Sequence, residues 1–506
     1  MKYFSTRGDK TKVTGAAAIL QGLASDGGLF VPEKIPQVSA EFIKELAPVA
    51  YEIRAAEILG LLLDDYEPME LAACLMKAYG GGKFDDVKKA PLVFPAKSSA
   101  EKFLPENTGI LELWHGPTAA FKDMALSLLP QFITCALKKC SAKENILILV
   151  ATSGDTGKAA LEGFRDVDRI KVQVFYPDGG VSDMQRLQMV TTLGGNVKVT
   201  AVKGNFDDAQ TGVKEIFNDD FFAARLAQTG LKLSSANSIN WGRLAPQIVY
   251  YFSAYADMLA AERISVGDEV NFAVPTGNFG DILAGYYAKM MGLPIGKLIC
   301  ASNANDVLTD FLNTGVYNSR REFYKTISPS MDILVSSNLE RLLWHLTGDT
   351  AQVKSWMEEL ASAGRYDVGQ KVLDKLRENF FGGFADDART KREIKRAYDA
   401  WGYLIDPHTA VAAAVAEDYL QETADRRPLV ILSTASPYKF CPAVLEALNI
   451  DTQGLNDFAK LDKLGQISGT NPPRNLANLK NAAVRFSDVV EKDKMAQAVM
   501  DFANQR

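Results

Sequence analysis

Short apolar runs along the chain alternate with segments that have the period of amphipathic helices. Each run is rich in β-branched residues, ends in a turn of small or polar residues, and leads into a helical pattern. Strands that are apolar on both faces and are separated by helices are typical of a mostly parallel sheet covered by helices. The pattern therefore predicts an α/β fold. The runs are NILILVA from Asn145, KVQVFYP from Lys171, NVKVTAV from Asn196, NFAVP from Asn271, KLICASN from Lys297 and LVILS from Leu429.

The N-terminal part of the chain and one later stretch follow the helical period instead. Helices are predicted over 13–24, 42–63 and 68–79, and the last of them ends at the glycines 80–82. We therefore expect a mainly helical N-terminal domain at residues 1–95, followed by a larger region at 96–506 that consists of two α/β subdomains. Within this region, about 338–403 is predicted to be a helical insertion, interrupted by Gly382 and Gly383.

The composition is that of a globular protein without a strong charge imbalance. The 56 basic and 62 acidic residues give a formal net charge of −6, and no basic tract favours nucleic-acid binding. No apolar run is long enough to span a bilayer, and the N-terminus lacks the pattern of a signal peptide. The five cysteines form no CxxC pair, and three histidines are few for a zinc site. We therefore expect a cytoplasmic protein without metal, nucleic-acid or membrane partners.

Lys122 lies in the segment HGPTAAFKDMAL, which begins at His115. Its neighbours Phe121 and Met124 are apolar, and several alanines are close by. A lysine in apolar surroundings has a lowered pKa, and its neutral amine is the nucleophile that Schiff-base chemistry requires. A surface lysine on a helix whose other side packs inward gives the same pattern. Taken alone, the segment favours the surface lysine.

The segment PTGNFGD, which begins at Pro275, joins a predicted strand to a helix that starts at or near Asp281. Its glycines let backbone N–H groups approach an anion closely, and the N-terminus of the helix adds its positive end. The pattern therefore suits a phosphate-binding loop. An ordinary strand-to-helix turn, in which the carboxylate of Asp281 caps the helix, is an equally good interpretation.

The segment ATSGDTGK, which begins at Ala151, has the same arrangement of strand, glycine-rich loop and helix. It ends in Gly-Lys, but Thr152 stands where a P-loop has its first glycine, and Ala159 stands where a P-loop has Ser or Thr. No GxGxxG motif occurs at the strand–helix junctions, so the sequence gives little support to nucleotide-dependent chemistry. The loop hydroxyls and backbone donors suit a carboxylate or a phosphate.

The segment LSTASPYKF, which begins at Leu432, follows the last apolar run. Its hydroxyls Ser433, Thr434 and Ser436 come at the C-terminal end of a predicted strand, where open α/β sheets bind their ligands. The same hydroxyls would also serve to cap a helix that starts near Pro442. The segment alone leaves both interpretations open.

In this order, HGPTxAFKD, SGDTG, GNFGD and LSTASPYKF closely resemble the motif series of threonine synthases. These enzymes belong to the tryptophan-synthase-β-like group, fold type II, of pyridoxal-phosphate enzymes. YFSTRG from Tyr3 and GLASDGGLFVPE from Gly22 resemble the N-terminal domain of that family, and SPSMDI from Ser328 resembles its longer bacterial and fungal members. The resemblance spans nearly the whole chain. It implies two open, mostly parallel sheets covered by helices, with 96–506 as the catalytic region.

The resemblance also implies pyridoxal 5′-phosphate as the cofactor and assigns roles to individual residues. Lys122 matches the lysine that carries the cofactor, and Thr434 matches the hydroxyl that contacts the pyridine nitrogen. The loop that holds the cofactor phosphate matches Gly277, Asn278, Phe279, Gly280 and Asp281. The loop that receives the substrate matches Thr152, Ser153, Gly154, Asp155 and Thr156. Further anion contacts match Ser182, Asn237, Ser238 and Arg243.

The implied reaction converts O-phospho-L-homoserine and water to L-threonine and phosphate. Lys122 would act as the base at Cα, and Arg243 with the loop N–H groups would hold the leaving phosphate. A hydroxyl such as Thr434 leaves the pyridine nitrogen largely unprotonated, which suits elimination and replacement better than transamination. We expect a monomer or a small homo-oligomer that acts on this small molecule.

Two positions depart from the wider fold type II pattern. Asp155 stands where many of these enzymes have Asn, which leaves the partner of the cofactor's phenolic oxygen open, and Ser436 stands where a His is usual. The alternatives are a related lyase that forms 2-oxobutyrate and a serine/threonine dehydratase, whose usual motifs differ from those here. A non-catalytic binding protein on the same scaffold is a further alternative, but it would be free to lose Lys122 and the GNFGD loop.

Overall fold

The computed structural model describes residues 1–96, 103–152 and 154–505. The N-terminal part is mainly helical and carries a small antiparallel sheet formed by β1 and β2. Its elements are β1 (Tyr3–Ser5), α1 (Gly15–Gln21), β2 (Phe30–Pro32), α2 (Ala40–Glu45), α3 (Tyr51–Leu62), α4 (Pro68–Tyr79) and β3 (Leu92–Val93). The helix predicted over 42–63 is two helices. Pro48 lies in the break, where its missing N–H and the restriction on the preceding residue end the helical backbone.

A first series of strands and helices follows. It consists of β4 (Thr108–Glu112), α5 (Lys122–Leu126), α6 (Leu129–Lys139), β5 (Asn145–Ala151), α7 (Asp155–Phe164), β6 (Ile170–Pro177), α8 (Asp183–Val190), β7 (Val197–Val202), α9 (Phe206–Phe217), α10 (Asp220–Ala227) and β8 (Leu231–Ser234). The apolar runs that begin at Asn145, Lys171 and Asn196 therefore form strands, as predicted, with each boundary within one residue of the run.

The chain then builds the second half of the fold. Its elements are α11 (Trp241–Ala260), β9 (Val270–Pro275), α12 (Gly280–Met290), β10 (Ile295–Ser302), α13 (Val307–Thr314), β11 (Val316–Asn318), α14 (Leu339–Thr347), α15 (Thr350–Ala363), β12 (Arg365–Asp367), α16 (Gln370–Asn379), β13 (Phe380–Phe384), α17 (Asp387–Trp401), α18 (Pro407–Thr423), β14 (Leu429–Ser433), α19 (Cys441–Ala447), α20 (Asp457–Ser468), α21 (Arg474–Ala477), β15 (Val489–Val490) and α22 (Met495–Ala503).

Two sheets organise these elements. The five-stranded sheet has the order β15-β7-β6-β5-β8 and is parallel throughout. The six-stranded sheet has the order β13-β10-β9-β14-β4-β3, and only the edge strand β3 runs antiparallel. Strands such as β9 are buried along their whole length, because helices cover both faces of the sheet. The prediction of two open, mostly parallel sheets is confirmed.

The stretch 338–403 is only partly helical. The pair Gly382 and Gly383, predicted as a break between helices, lies in β13, which pairs in parallel with β10 at the edge of the six-stranded sheet. A Cβ atom on Gly383 would lie 2.7 Å from Cγ1 of Val415, so the glycine allows α18 to approach the strand closely. A purely helical insertion is therefore wrong at this point, because two glycines remove the apolar alternation by which a strand is recognised.

Helix α11 connects the N-terminal part to the two-sheet region. It is buried along nearly its whole length and packs against α3, α5 and α12. A helix that is apolar on all sides is typical of the centre of a large protein. Within the described residues, no helix is both long and apolar enough to cross a membrane.

Candidate active site

The predicted motifs meet where the C-terminal ends of β5, β9 and β14 approach the start of α5. The backbone N–H of Phe121 donates to the carbonyl of Thr434 at 2.8 Å, and Ala120 forms an isolated antiparallel bridge with Ala435. Two segments more than three hundred residues apart thus lie side by side, with Lys122 as the first residue of α5. The C-terminal edges of parallel strands are where open α/β folds bind ligands.

Lys122 is partly buried in this cleft. Its Nζ lies 3.4 Å from Oγ of Ser330 and 4.8 Å from the centroid of the Phe121 ring. Burial lowers the pKa of Lys122 to about 8, and the positive charges of Lys439 and Arg243 act in the same direction, while Asp155 opposes them. An appreciable fraction of the amine is therefore neutral near pH 7, as a nucleophile or a base requires.

Asp155 is the first residue of α7 and is buried beside Lys122. Its Oδ1 accepts from Nζ of Lys439 at 2.6 Å and from Nε2 of Gln185 at 3.1 Å, and its Oδ2 accepts from Oγ of Ser330 at 3.3 Å. Burial alone would raise the pKa of Asp155, but the charges of Lys439 and Lys122 outweigh burial and hold this pKa well below its usual value. Asp155 is therefore a buried, ionised carboxylate.

Hydrogen bonds between Thr152, Gly154 and Gly157 stabilise the described residues of the 152–157 loop. Oγ1 of Thr152 is buried and accepts from the backbone N–H groups of Gly154 at 2.9 Å and Gly157 at 3.0 Å, so this hydroxyl shapes the loop. Gly154 has a φ of 144°, and a Cβ there would lie 2.4 Å from Nε2 of Gln185. Thr156 is partly buried in the first turn of α7. Ser153, predicted to contact the substrate, lies outside the described residues.

The 277–281 loop leads into α12 through Phe279, which adopts the left-handed conformation with a φ of 62°. Its carbonyls point towards a neighbouring segment: Gly277 O accepts from Ser336 Oγ at 2.9 Å, and Asn278 O accepts from the backbone N–H of Asn338 at 3.1 Å. Among the described residues no side chain caps α12, and the first N–H groups of a helix have no acceptor within it. The loop therefore presents backbone donors and a positive helix end to an anion.

Asp281 does not cap α12, contrary to one of the two interpretations of the sequence. Its Oδ1 accepts from the hydroxyls of Tyr250 at 2.5 Å and Tyr251 at 3.1 Å, both on α11. Because Asp281 is already inside the first turn, its side chain points back towards α11 instead of towards the helix end. Burial raises the pKa of Asp281 to about 7, although both tyrosine hydroxyls lower it. Its Oδ2 is buried and has no hydrogen-bond partner among the described residues.

The segment after β14 contributes one buried hydroxyl and one buried cation. Thr434 is buried beside Phe121, while Ser436 caps a 3₁₀ turn at Pro437–Phe440 and donates its backbone N–H to Ala119 O at 3.1 Å. The capping interpretation therefore holds for Ser436, although for this turn and not for α19. Lys439 extends from the turn to Asp155, which links the two sheets across the cleft.

The four predicted anion contacts differ in their surroundings. Ser182 is exposed and caps α8, while Ser238 accepts from Nδ2 of Asn338 at 3.0 Å and so joins the support of the 277–281 loop. Asn237 is exposed. Arg243 is buried, and one of its Nη atoms donates to Ala236 O. Burial lowers the pKa of Arg243 to about 10, and within the described part of the chain its Nε has no partner.

Sequence reasoning missed four side chains that line this cluster. Ser330, Gln185 and Lys439 contact Asp155, and Nε2 of His408 accepts the backbone N–H of Ser330 at 3.2 Å. Ser330 and Lys439 lie inside the quoted motifs SPSMDI and LSTASPYKF, so the motif matches were the one signal that could have pointed to them. Ranges 1–96, 103–152 and 154–505 contain no group of His, Cys, Asp and Glu that could hold a metal ion.

A cavity of about 1160 Å³ opens beside this cluster, behind the segment that leads to Lys122. It is lined by His115, Pro117, Lys158 and Arg485 among others, and none of the described site residues predicted from the sequence lines it. Burial alone would lower the pKa of His115, but its ring donates from Nδ1 to Asp85 at 2.6 Å and from Nε2 to Glu112 at 2.7 Å, and these carboxylates raise the pKa to about 9. This cavity therefore does not coincide with the site predicted from the sequence.

Comparison with known families divides the chain into three matched parts. Residues 2–79 match the threonine synthase N terminus, residues 110–371 match the pyridoxal-phosphate dependent enzyme family, and residues 409–502 match the threonine synthase C-terminal family. The three matches cover the five-stranded sheet, most of the six-stranded sheet and the helices of the N-terminal part up to α4, while the edge strands β3 and β13 lie between the matched ranges.

Individual relatives agree with the family matches. The threonine synthase of Saccharomyces cerevisiae is 38% identical over 88% of this chain and 89% of its own length. The human protein threonine synthase-like 1 is 42% identical over 90% of this chain, but the chain spans only 61% of that protein's length. A PLP-bound threonine synthase from Brucella melitensis has a TM-score of 0.86 and 37% identity, with complete coverage of both chains.

Proposed function

Because the chain belongs to the threonine synthase family of pyridoxal-phosphate-dependent enzymes, we propose that it converts O-phospho-L-homoserine and water to L-threonine and phosphate. The reaction class is that of a carbon–oxygen lyase, in which γ-elimination of phosphate is followed by addition of water at Cβ. The observation that carries the proposal is the placement of Lys122, whose partly neutral amine lies beside Asp155 and near the two glycine-rich loops.

The residues of the cleft fit pyridoxal 5′-phosphate as the cofactor. The backbone donors of 277–281 and the uncapped start of α12 suit its phosphate, and Thr434 suits its pyridine nitrogen. Two buried polar atoms, Nε of Arg243 and Oδ2 of Asp281, have no partner among the described residues, as expected of a site that a polar ligand completes. When bound, the cofactor supplies the electron sink for the carbanion formed at Cα.

Lys122 is proposed to move protons at the substrate carbons. Its neutral amine removes the proton from Cα, and the resulting ammonium can return a proton later in the cycle. A pKa of about 8 allows both states near neutral pH. Asp155, as an ionised carboxylate, favours the ammonium state, while Lys439 and Arg243 favour the neutral state. Because these charges oppose one another, the amine can both accept a proton and return it.

The anionic ends of the substrate are proposed to bind around the substrate loop and α11. Backbone donors of the 152–156 loop, with Ser153 and Thr156, would bind the carboxylate, and the buried cation Arg243 would bind the leaving phosphate. Ser182, Asn237 and Ser238 are proposed as outer contacts at the rim. Thr152 would act through the loop shape, because its hydroxyl is engaged by Gly154 and Gly157.

We further propose that the protein acts in the cytoplasm on this small molecule, as a monomer or a small homo-oligomer, without a nucleic-acid or membrane partner. The boundary between a helical N-terminal domain at 1–95 and a catalytic region at 96–506 remains a prediction. The N-terminal match at residues 2–79 supports placing a boundary after α4.

The test is an assay of phosphate and threonine in the same reaction mixture, with the protein loaded with pyridoxal phosphate and given O-phospho-L-homoserine. Equal amounts of both products are expected, and Lys122→Ala should lower both rates by at least about a thousandfold. Lys158→Met is the matched control, since Lys158 is also buried but pairs with Glu162.

Other outcomes would identify the alternatives. Phosphate with 2-oxobutyrate in place of threonine would refute the synthase and support the related lyase. Release of 2-oxobutyrate from threonine, or of pyruvate from serine, with no phosphate group on the substrate would indicate a dehydratase. Retention of the cofactor without any turnover would indicate a binding protein.

A further inference from the structure

A row of hydrogen bonds leads from Lys439 to Lys122 across the cleft. Nζ of Lys439 lies 2.6 Å from Oδ1 of Asp155, Oγ of Ser330 lies 3.3 Å from Oδ2 of the same carboxylate, and Nζ of Lys122 lies 3.4 Å from Oγ of Ser330. The row joins residues from four separate parts of the chain. It uses both oxygens of Asp155, one towards each lysine.

The donor and acceptor roles along this row of hydrogen bonds are fixed. An ionised carboxylate can only accept, so the single proton of the Ser330 hydroxyl is directed to Asp155. Towards Lys122, Ser330 can then only accept, so one N–H of the amine points at Ser330. Because one N–H is held in this way, the remaining bonds and the lone pair of a neutral Lys122 amine take defined directions around the Cε–Nζ bond.

Ser330 is itself held rigidly. Its backbone N–H donates to Nε2 of His408, whose Nδ1 must therefore carry the proton and donate to Asp406 at 2.7 Å. Two residues further on, Oδ1 of Asp332 accepts from Nδ2 of Asn303 at 2.8 Å. These bonds hold the backbone at and beside Ser330, from which the hydroxyl reaches both Asp155 and Lys122.

Lys439 is fully buried, and its second bond is to the carbonyl of Thr118 at 3.1 Å. A buried ion pair contributes little net stability, because the loss of hydration offsets most of the attraction. Stability alone therefore does not explain why Lys439 and Asp155 are buried as a pair. Their position beside Lys122 indicates that they act on this lysine.

We propose that Lys439 positions the Lys122 amine for the reaction proposed above, by holding Asp155 against Ser330 and so fixing the hydrogen bond from Lys122 to Ser330. Lys439 does not touch the reacting atoms and acts through Asp155. The role assigned to Lys122 rests on the proposed function, but the positioning can be measured without turnover.

The ion pair of Lys439 and Asp155 also affects the proton affinity of Lys122. The charged groups that face Lys122 are Asp155 on α7, Lys439 on the 3₁₀ turn, Arg243 on α11 and its own neighbour Asp123, while Asp281 faces it from α12. Removing the charge of Lys439 leaves Asp155 to stabilise the ammonium alone, so the pKa of Lys122 should rise. Removing the charge of Asp155 leaves Lys439 unopposed, so the pKa of Lys122 should fall.

The experiment measures the reactivity of Lys122 in the full-length chain freed of cofactor. Competitive acetylation with acetic anhydride, followed by mass spectrometry of the Lys122 peptide, reports the neutral fraction of the amine at each pH. At about pH 7 we expect labelling about tenfold slower in Lys439→Met and about fivefold faster in Asp155→Asn. Lys439→Arg should keep most of the Lys122 labelling rate of the unchanged protein, and Lys158→Met should not alter that rate.

The double variant Asp155→Asn with Lys439→Met removes the pair without leaving a buried single charge, so it can be measured even if Lys439→Met alone does not fold. We expect its labelling rate to return to within about threefold of the unchanged protein. The proposal is overturned if the two single variants shift the rate in the same direction, or if neither shifts it. Labelling that follows the proposal while threonine is not formed would instead count against the proposed function alone.

Discussion

The two glycine-rich loops that follow β5 and β9 have the same architecture, but the pKa values of their aspartates are shifted in opposite directions. Each joins a buried parallel strand to a helix, and each places an aspartate in the first turn, Asp155 on α7 and Asp281 on α12. Asp155 meets a lysine, a glutamine and a serine, and the positive charges hold its pKa well below the usual value. Asp281 meets two tyrosines, and burial raises its pKa to about 7.

The difference shows that the state of a buried carboxyl depends on its partners and not on its place in a motif. Lys439 compensates Asp155 directly at 2.6 Å, whereas Asp281 receives only neutral hydroxyl donors. Hydroxyl donors offset part of the lost hydration but supply no opposite charge. One loop therefore holds a fixed negative charge beside Lys122, and the other places a carboxyl that is only partly ionised near pH 7 beside the anion that it is proposed to bind.

The largest expected effect is on the pH dependence of stability. Asp281 has a folded-state pKa of about 7 against about 3.9 in an unfolded chain, so the folded protein binds the extra proton between these values. Stability should fall as pH rises through this window, by about 1.4 kcal/mol per pH unit. Asp281→Asn removes this dependence, so its stability relative to the unchanged protein should grow by up to about 4 kcal/mol from about pH 4 to about pH 7.

Urea unfolding of the cofactor-free chain at several pH values, followed by tryptophan fluorescence, provides the measurement. Asp155→Asn is the contrast, because a lowered pKa has the opposite sign: its stabilisation is complete above the unfolded-state pKa and is lost only as pH falls through the folded-state value. The difference between Asp155→Asn and the unchanged protein should thus stay constant from about pH 5 to about pH 6, below the range in which Lys122 titrates, whereas that of Asp281→Asn changes over the same range. Parallel pH profiles for the two variants would show that the loops do not differ as described.

The next effect is on turnover. Asp155→Asn should lower the rate of threonine formation by about 100-fold, because it removes the charge beside Lys122 and the acceptor of Ser330. Asp281→Asn should lower the rate by less than about fivefold at about pH 6, where an uncharged amide resembles the protonated carboxyl of Asp281. Steady-state assays of both variants at about pH 6 and about pH 8 test this, and a larger loss for Asp281→Asn would reverse the comparison.

A pair of glycine variants tests whether the loops are coupled. A Cβ on Gly277 would lie 2.8 Å from the backbone oxygen of Ser330, the same residue whose hydroxyl contacts Asp155. Gly277→Ala should therefore cost about 2 kcal/mol and alter the labelling rate of Lys122. Gly280→Ala is the control, since its nearest contact would be 3.4 Å from a side-chain nitrogen, and it should cost less than about 0.5 kcal/mol. Unaltered Lys122 labelling in Gly277→Ala would show that the loops are independent.

The sequence predicts those parts of this site that are encoded locally. The strands before both loops are continuous apolar runs, and the glycines mark the turns, so their positions follow from neighbouring residues alone. The break at Pro48 was equally local, but the apolar pattern of 42–63 obscured it. The edge strand β13 could not be recognised, because Gly382 and Gly383 have no side chains to show an alternation.

The partners of the two aspartates could not be predicted, because they come from distant segments. Ser330 is 175 residues from Asp155, and neither its spacing nor its neighbours mark it as a contact. Lys439 is a single lysine in a motif whose hydroxyls suggest the ligand contacts. Tyr250 lies on a helix whose apolar pattern predicts only burial. The motif comparison indicated where the site lies, but the charge of each carboxyl depends on tertiary contacts that only the structure provides.

The smallest effect concerns the hydroxyls that bind Asp281. Tyr250→Phe removes the 2.5 Å bond to Oδ1 and leaves that of Tyr251, so the expected cost is about 1 kcal/mol. Because this bond lowers the pKa of Asp281, its loss should raise that pKa further and extend the decline of stability above about pH 7. Tyr255→Phe is the control on the same helix, since its hydroxyl donates to the backbone oxygen of Asp268 at 2.9 Å. It should cost a similar amount without moving the pH profile. If both variants shift the profile equally, the titration above pH 4 belongs to a group other than Asp281, and the contrast between the two loops would rest on Asp155 alone.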